Sequence, residues 1–590
     1  MKNFFKYTLA SVLGIIISFF IIMVFFIVFI SALIGAAEKK TIGIQPNAVL
    51  RINITQPVTD RTSNNPFENF DFTNFKPRPQ LGLNDILKSI EGAKTDSRIK
   101  GIYLDMPFLP ADHATVEEIR EALIDFKESG KFILAYGDIY TQKMFFLATV
   151  ADHVYLNPQG WIDFRGLSVD IFFVSEALDK LGIEPQIIRR GQYKTAVEPF
   201  TRTSMSDENR AQTAIYVNSI WKHMLDKIAA SKNIPVEQLN QFADELKFMD
   251  VETLLDHNLI DGVKYKDQRL DELNELSGNS GEKDVRVDLY EYNNVIRKKK
   301  GFNTKKDRIA VVYAQGNIIV GEGEENIIGS EKTSRAIRKA RKDTTVKAVV
   351  FRVNSGGGSA MASEVIWREI KLTQEVKPVI VSMGDYAASG GYYIACAADT
   401  IVANPLTITG SIGVYGIVPN VQKLLNDKLG VYFDRYKTNK SSDFLAADRP
   451  ITQDEKIVLT KMVDDTYNTF LLHIKEGRNM KYEEVDKIAG GKIWSGINAK
   501  QNGLVDMLGG LNTALKVAAE KAGVYDYAVL ELPVQKEPFE MLMKGFKTHA
   551  MDWMLKKELG EEYLKYKALK DVLHNKDAIQ AVMPFKIDIY

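Results

Sequence analysis

The sequence predicts an α/β protein built as two tandem copies of one βα domain behind a single N-terminal transmembrane helix. Three observations predict it. A long uncharged apolar run opens the chain, short β-branched runs then alternate with helical patterns, and two stretches repeat each other in fixed register.

The apolar run comes first. From Tyr7 to Ala37 no residue is charged, and Gly14 to Ile34 is dominated by Ile, Phe, Val and Leu. Roughly 20 such residues cross a bilayer, whereas a cleavable signal sequence has an apolar stretch of roughly 7–15. Residues 7–37 are therefore expected to form an uncleaved signal anchor. Lys2 and Lys6 precede the run and Glu38, Lys39 and Lys40 follow it, so flanking charge orients it only weakly. The 590 residues leave room for more than one core. Formal net charge is zero, which argues against nucleic acid as the main partner. The single cysteine, Cys396, permits no intrachain disulfide, and no spacing of His or Cys reads as a metal site. No cofactor is expected.

The repeat fixes the layout. Ile99 to Leu104 matches Val346 to Phe351, Phe132 to Asp138 matches Val379 to Asp385, and Ala151 to Pro158 matches Ala398 to Pro405. All three pairs are separated by 247 positions, and Gly166 against Gly413 keeps that register. Two copies of one domain follow, at about 45–290 and 307–535. Within each copy, β-branched runs alternate with helical patterns, which is the signature of a mainly parallel sheet. A basic segment between the copies, Arg297 to Lys300 and Lys305 to Arg308, reads as a solvated linker. Residues 536–590 show apolar residues at helical spacing and are expected to be a helical tail for packing or a subunit contact.

Chemistry concentrates in the second copy. The apolar run Pro378 to Met383 reads as a buried strand, and the small residues Ile394 to Ala398 read as a helix. Between them, Ser389 sits where a strand hands over to a helix, with the Gly390 N–H beside it. A second glycine cluster, Asn354 to Ser359, offers the Gly357 N–H. In the first copy Gln142 stands opposite Ser389, Lys143 opposite Gly390 and Pro110 opposite Gly357. Proline has no N–H, so that copy has lost the nucleophile and a donor together. Asp385 and Asp399 persist there as Asp138 and Asp152, which points to a role in the fold, such as a turn or a helix cap. A serine nucleophile needs a base, yet no histidine lies between His257 and His473. A desolvated lysine is the other solution. From the residues alone Lys194, Lys437, Lys440 and His473 all remain open.

Asn354-Ser355 with its glycines, paired with Asp385 to Tyr392, resembles the signal peptide peptidase A family in its long, duplicated form. That family belongs to the Clp-protease/crotonase-like superfamily. The resemblance implies a Ser-Lys protease that degrades signal peptides and similar short apolar peptides. Its lysine comes from a Tyr-Lys-x-Ala-Val-Glu-Pro-Phe segment, present here as Tyr193 to Phe200, so the resemblance assigns the general base to Lys194. It assigns the oxyanion donors to Gly357 and Gly390. Gly356 departs from the family, which commonly has proline there. Ser411, opposite Phe164, is a candidate to orient the lysine by a hydrogen bond. The resemblance further implies a homotetramer in the inner membrane with its catalytic domains on the periplasmic side. The alternatives are a crotonase-like acyl-CoA enzyme and a non-catalytic membrane scaffold.

Overall fold

The computed structural model describes residues 2–38, 43–65, 70–71, 76–77, 80–279, 285–299, 306–535 and 579–583, with 555, 558, 560 and 563. Residues 2–38 form one helix, Lys2–Glu38. Its described side chains run unbroken only over 6–22 and are exposed. Among the described residues no helix is long and apolar enough to cross a membrane. The later part of the expected anchor lies outside the residues whose side chains are described.

Two mainly parallel sheets follow, and six strands of each correspond; the second adds Ile408–Gly410 beside Val379–Ala388 and, antiparallel to Ile408–Gly410, Ile493–Ser495. The first runs Gly262–Val263, His153–Leu156, Phe132–Gly137, Ile99–Asp105, Ala48–Ile52, Arg286–Asp288. The second runs Met507–Leu508, Thr400–Ala403, Val379–Ala388, Val346–Ser355, Arg308–Gln315, Ala528–Leu532. Helices cover both faces, as parallel sheets require. Along Val346–Ser355, Val349 and Phe351 enter one core while Ala348 and Val350 enter the other, the two-residue alternation of a pleated strand. The persistent aspartates share a task here too. Asp152 Oδ2 accepts from the Ile133 N–H and Asp399 Oδ2 from the Val379 N–H, each at 2.8 Å.

A third sheet joins the copies. Its order is Ile327–Gly329, Asn317–Ile319, Gly357–Ser359, Ile579–Val582, Val414–Asn420, Glu184–Arg190. Glu184–Arg190 belongs to the first copy and pairs antiparallel with Val414–Asn420 of the second over seven residue pairs. This pairing carries the segment after Arg190 into the second copy. Most of residues 536–590 lies outside the described residues. Where the structure does describe them, Ile579–Val582 is a strand rather than part of a helical tail. Its backbone groups are satisfied by the two strands flanking it, which outweighs the helical spacing upstream.

A buried charge cluster locks the copies together. The Arg352 guanidinium of the second copy donates to Asp60 Oδ1 and Glu118 Oε1 of the first, both at 2.8 Å. Glu118 Oε2 in turn accepts from the Leu511 N–H at 2.7 Å. Each charge is buried but paired, as burial of ions demands.

Candidate active site

Ser389 ends the Val379–Ala388 strand and precedes the short helix Gly390–Ala395. Its backbone has φ 56° and ψ −115°, a conformation that costs a non-glycine residue roughly 1–3 kcal/mol. Two hydrogen bonds hold it there. The Ser389 N–H donates to Gly410 O at 2.8 Å, and the Tyr393 N–H donates to Ser389 O at 2.9 Å. The residue is buried.

Lys194 reaches Ser389 from the other copy. Its Nζ lies in hydrogen-bond contact with Ser389 Oγ at 2.7 Å, and it donates to Ser411 O at 2.9 Å and to Ser411 Oγ at 3.0 Å. Its relative exposure is 1%, so water contributes almost nothing to solvating the amine. Burial holds its pKa well below the usual lysine range. Among the described residues no carboxylate hydrogen-bonds this amine; the nearby Glu198 is taken up by Ser206 and Asn209. Ser411 O and Oγ take the two N–H groups of a neutral amine, its lone pair is left facing the Ser389 hydroxyl, and among the described residues no counter-ion holds it charged. That is the environment of a neutral lysine base.

The other candidates are engaged elsewhere. Lys437 is paired with Asp443 at 3.0 Å and Lys440 with Asp454, both on the surface. His473 meets Glu364 at 2.9 Å and stacks on Trp367 at 3.5 Å between ring centroids. Gly357 and Gly390 lie against each other: a Cβ added at Gly357 would come within 2.7 Å of the Gly390 nitrogen. Gly357 has φ +107°, open only to glycine, and its N–H donates to Ser355 Oγ at 3.1 Å. Gly356 has room for a side chain, since an added Cβ would meet Met583 at an ordinary 3.6 Å.

The family model for peptidase family S49 matches residues 125–280 and 371–525. The chain belongs to that family. Protease 4 of Haemophilus influenzae is 36% identical over 455 residues, 75% of this chain and 73% of its own length. Protease 4 of Salmonella typhi is likewise 36% identical, covering 75% of this chain and 72% of its own. Serine protease SPPA of the Arabidopsis thaliana chloroplast is 34% identical, covering 75% and 66%. Among solved structures, ClpP1 of Listeria monocytogenes covers 34% of this chain and 91% of its own, at 18% identity and a TM-score of 0.23. This S49 chain is a serine peptidase with a duplicated α/β body.

The first S49 repeat shows what loss of the site looks like. Gln142, opposite Ser389, accepts from the Arg165 and Gly166 N–H groups at 3.0 Å and donates to Gly166 O at 2.8 Å. Lys143, opposite Gly390, donates to Ala111 O at 2.8 Å. Side chains thus fill the space that the second repeat leaves to glycines and a hydroxyl.

Two glycines that position Lys194 escaped the sequence reading. Gly490 O accepts from the Tyr193 N–H at 2.8 Å, and the Gly491 N–H donates to Ile412 O at 2.7 Å. Gly491 has φ +91°, and a Cβ there would strike the Lys194 backbone. The Gly490-Gly491 dipeptide was visible as a turn signal. Its distance in sequence from both Lys194 and Ser389 hid the connection.

Proposed function

We propose that this S49 peptidase is a membrane-anchored Ser-Lys endopeptidase that degrades cleaved signal peptides and other short apolar peptides. The observation that carries the reading is the buried 2.7 Å hydrogen bond between Ser389 Oγ and Lys194 Nζ. Neutral Lys194 takes the Ser389 proton as Oγ attacks the scissile carbonyl, then delivers it to the leaving amine. The Gly390 N–H at the start of its helix and the Gly357 N–H, released from Ser355 Oγ, hold the oxyanion. Ser411 orients the amine through Oγ and O. No step calls for a metal or an acyl-CoA.

Ser389→Ala and Lys194→Ala should each abolish cleavage of a hydrophobic reporter peptide while leaving the circular dichroism spectrum unchanged. A serine-directed phosphonate should label Ser389 in the wild type. Full turnover in either variant would remove that residue from the mechanism.

The uncharged run Tyr7 to Ala37 supports an anchor, and the family resemblance supports an inner-membrane enzyme facing the periplasm. The duplication supports a homo-oligomer. Residues 167–173 are the first copy's counterpart of Val414–Asn420, 247 positions earlier. Lys180-Leu181-Gly182 recurs one step out of that register as Lys428-Leu429-Gly430, which makes 432–438 the counterpart of Glu184–Arg190. Neither counterpart is laid into the three described sheets. Tyr432, Phe433 and Tyr436 are 74%, 61% and 93% exposed. Residues 432–438 of one subunit, extended and placed on 167–173 of the next, would repeat the internal pairing head to tail, which closes into a ring, with a tetramer the expected size. Light scattering of Tyr436→Asp against the wild type tests it: an unchanged mass overturns that contact.

A further inference from the structure

The two N–H groups assigned to the oxyanion sit on different elements. Gly357 opens the Gly357–Ser359 strand, which runs straight into the helix Ala360–Gln374. Gly390 opens the helix Gly390–Ala395. That helix is far shorter than the roughly 12–15 residues that make one self-supporting, so packing decides where the Gly390 N–H points. The two helices close on each other at this glycine, where an added Cβ would come within 2.8 Å of Ser363 Oγ.

One side chain ties the two elements together. Tyr393, a turn beyond Gly390, donates its phenol hydroxyl to Glu364 Oε2 on the helix Ala360–Gln374. His473, on the helix Gln453–Arg478, meets the same oxygen through Nε2 at 2.9 Å. Burial raises the Glu364 pKa, but the bonds from His473 and Tyr393 outweigh it and hold the carboxyl below its ordinary value. An ionised carboxylate only accepts, so both partners donate to it. The His473 ring is itself fixed, stacked on Trp367 at 3.5 Å and set edge-on to Tyr393 at 5.4 Å between centroids.

The first copy supplies the comparison. Glu117 stands 247 positions before Glu364, and Phe146 stands 247 before Tyr393. There His223 meets Glu117 Oε1 at 2.9 Å, so both copies have the His–Glu pair. What the first copy lacks is the hydroxyl. Glu117 Oε2 is buried and, among the described residues, has no hydrogen-bond partner. Phe146 and Tyr393 are equally buried, at 1% and 2% exposure, so packing alone does not ask for a phenol. The phenol is found in the copy that has the nucleophile.

We infer that Tyr393 is a positioning residue for the oxyanion site, its hydroxyl on the His473-held Glu364 carboxylate fixing the Gly390 N–H against the Gly357 N–H. The inference rests on the Ser389–Lys194 reading and deepens it. As Ser389 Oγ attacks, the scissile carbonyl oxygen gains negative charge, and the two N–H groups stabilise it only when both point to one place. Without the hydroxyl the short helix loses its link to the element that carries Gly357. Tyr393 contributes nothing to holding the resting substrate, so the loss falls on kcat.

Tyr393→Phe, which copies Phe146, tests this on the full chain with a hydrophobic reporter peptide and a serine-directed phosphonate. Reporter kcat should fall about 10–100-fold with KM nearly unchanged. The phosphonate, whose charged oxygen takes the oxyanion's place, should label Ser389 more slowly by a similar factor yet reach the wild-type stoichiometry. Glu364→Gln keeps an acceptor for the hydroxyl and should retain most of the activity, whereas Glu364→Ala should match Tyr393→Phe. Wild-type kcat in Tyr393→Phe overturns the inference and leaves the Ser-Lys mechanism standing. So does a lower final stoichiometry reached at the wild-type rate, which is what a partly unfolded sample would give. A wild type that neither cleaves the reporter nor takes the label counts against both.

Discussion

Asp385 of the second copy caps a helix of the first through Thr115. Its Oδ1 accepts from the Thr115 N–H at 2.9 Å and its Oδ2 from Thr115 Oγ1 at 2.7 Å. Thr115 lies in the first turn of His113–Lys127, so a carboxylate four residues before Ser389 meets unsatisfied N–H groups across the joint. The strand that presents the nucleophile is thereby tied to the copy that supplies the lysine.

That tie is pH-dependent. Burial, and next the neighbouring Asp112, raise the Asp385 pKa above its ordinary 3.8, against the hydrogen bonds from Thr115. Between the unfolded and the raised folded pKa the folded state binds more protons, so stability falls as pH rises through that window. Asp385→Asn keeps an acceptor for Thr115 and removes the titration. Its melting temperature should therefore equal or exceed the wild type's at neutral pH, and its advantage over the wild type should grow from pH 5 to pH 8, two settings spanning roughly the usual stability plateau. Differential scanning fluorimetry of both proteins across that range checks it; an advantage that shrinks as pH rises would count against the cap as the titrating group.

Lys194 predicts the opposite slope for activity. Only the neutral amine takes a proton, and its pKa is depressed by burial alone. Reporter cleavage should rise with pH through one ionisation below the usual lysine range and plateau above it. Lys194→Arg, whose guanidinium stays charged, should be inactive at every pH. In the wild type, stability also rises with pH from the folded pKa up to the ordinary 10.5, because the unfolded chain binds the extra proton there. Lys194→Met removes the buried amine, so it should melt no lower than the wild type at neutral pH while cleaving nothing.

Ser411 separates orientation from reaction. Ser411→Ala deletes the acceptor at 3.0 Å and leaves the carbonyl at 2.9 Å. The lysine should lose part of its alignment, lowering kcat by about 10–100-fold with KM nearly unchanged. A KM effect of similar size would make Ser411 a substrate contact instead.

The two sheets were legible because buried parallel strands are written as short β-branched runs, and because the 247-residue register shows three strands of one copy twice, as at Ile99 and Val346. Ser389 was legible for the same reason, since Gln142 stands in its place. Lys194 was not. Its burial depends on the pairing of Glu184–Arg190 with Val414–Asn420, a contact across more than two hundred residues that leaves no local pattern, so only the family resemblance pointed to it. The Ile579–Val582 strand was missed because four residues of alternation fall below what periodicity resolves, and both of its partners lie far upstream.

Gly491 carries the most demanding prediction, because it touches neither substrate nor Ser389. The residue holds φ +91° with the Lys194 backbone against its Cα, and its N–H anchors the turn to Ile412 O at 2.7 Å. Alanine would meet both a disfavoured backbone and a direct clash, and the movable partner is the loop that ends in Lys194. A shift of about 1 Å in a positioned group costs roughly 10²-fold in rate, so Gly491→Ala should lose about that much kcat with the fold retained. Gly490→Ala, which faces open space at φ +66°, strains the same turn without pressing on Lys194 and should lose much less. Kinetics on the reporter peptide, with melting curves for both variants, check it. Equal losses in the two would mean that the turn's conformation matters and the contact with Lys194 does not.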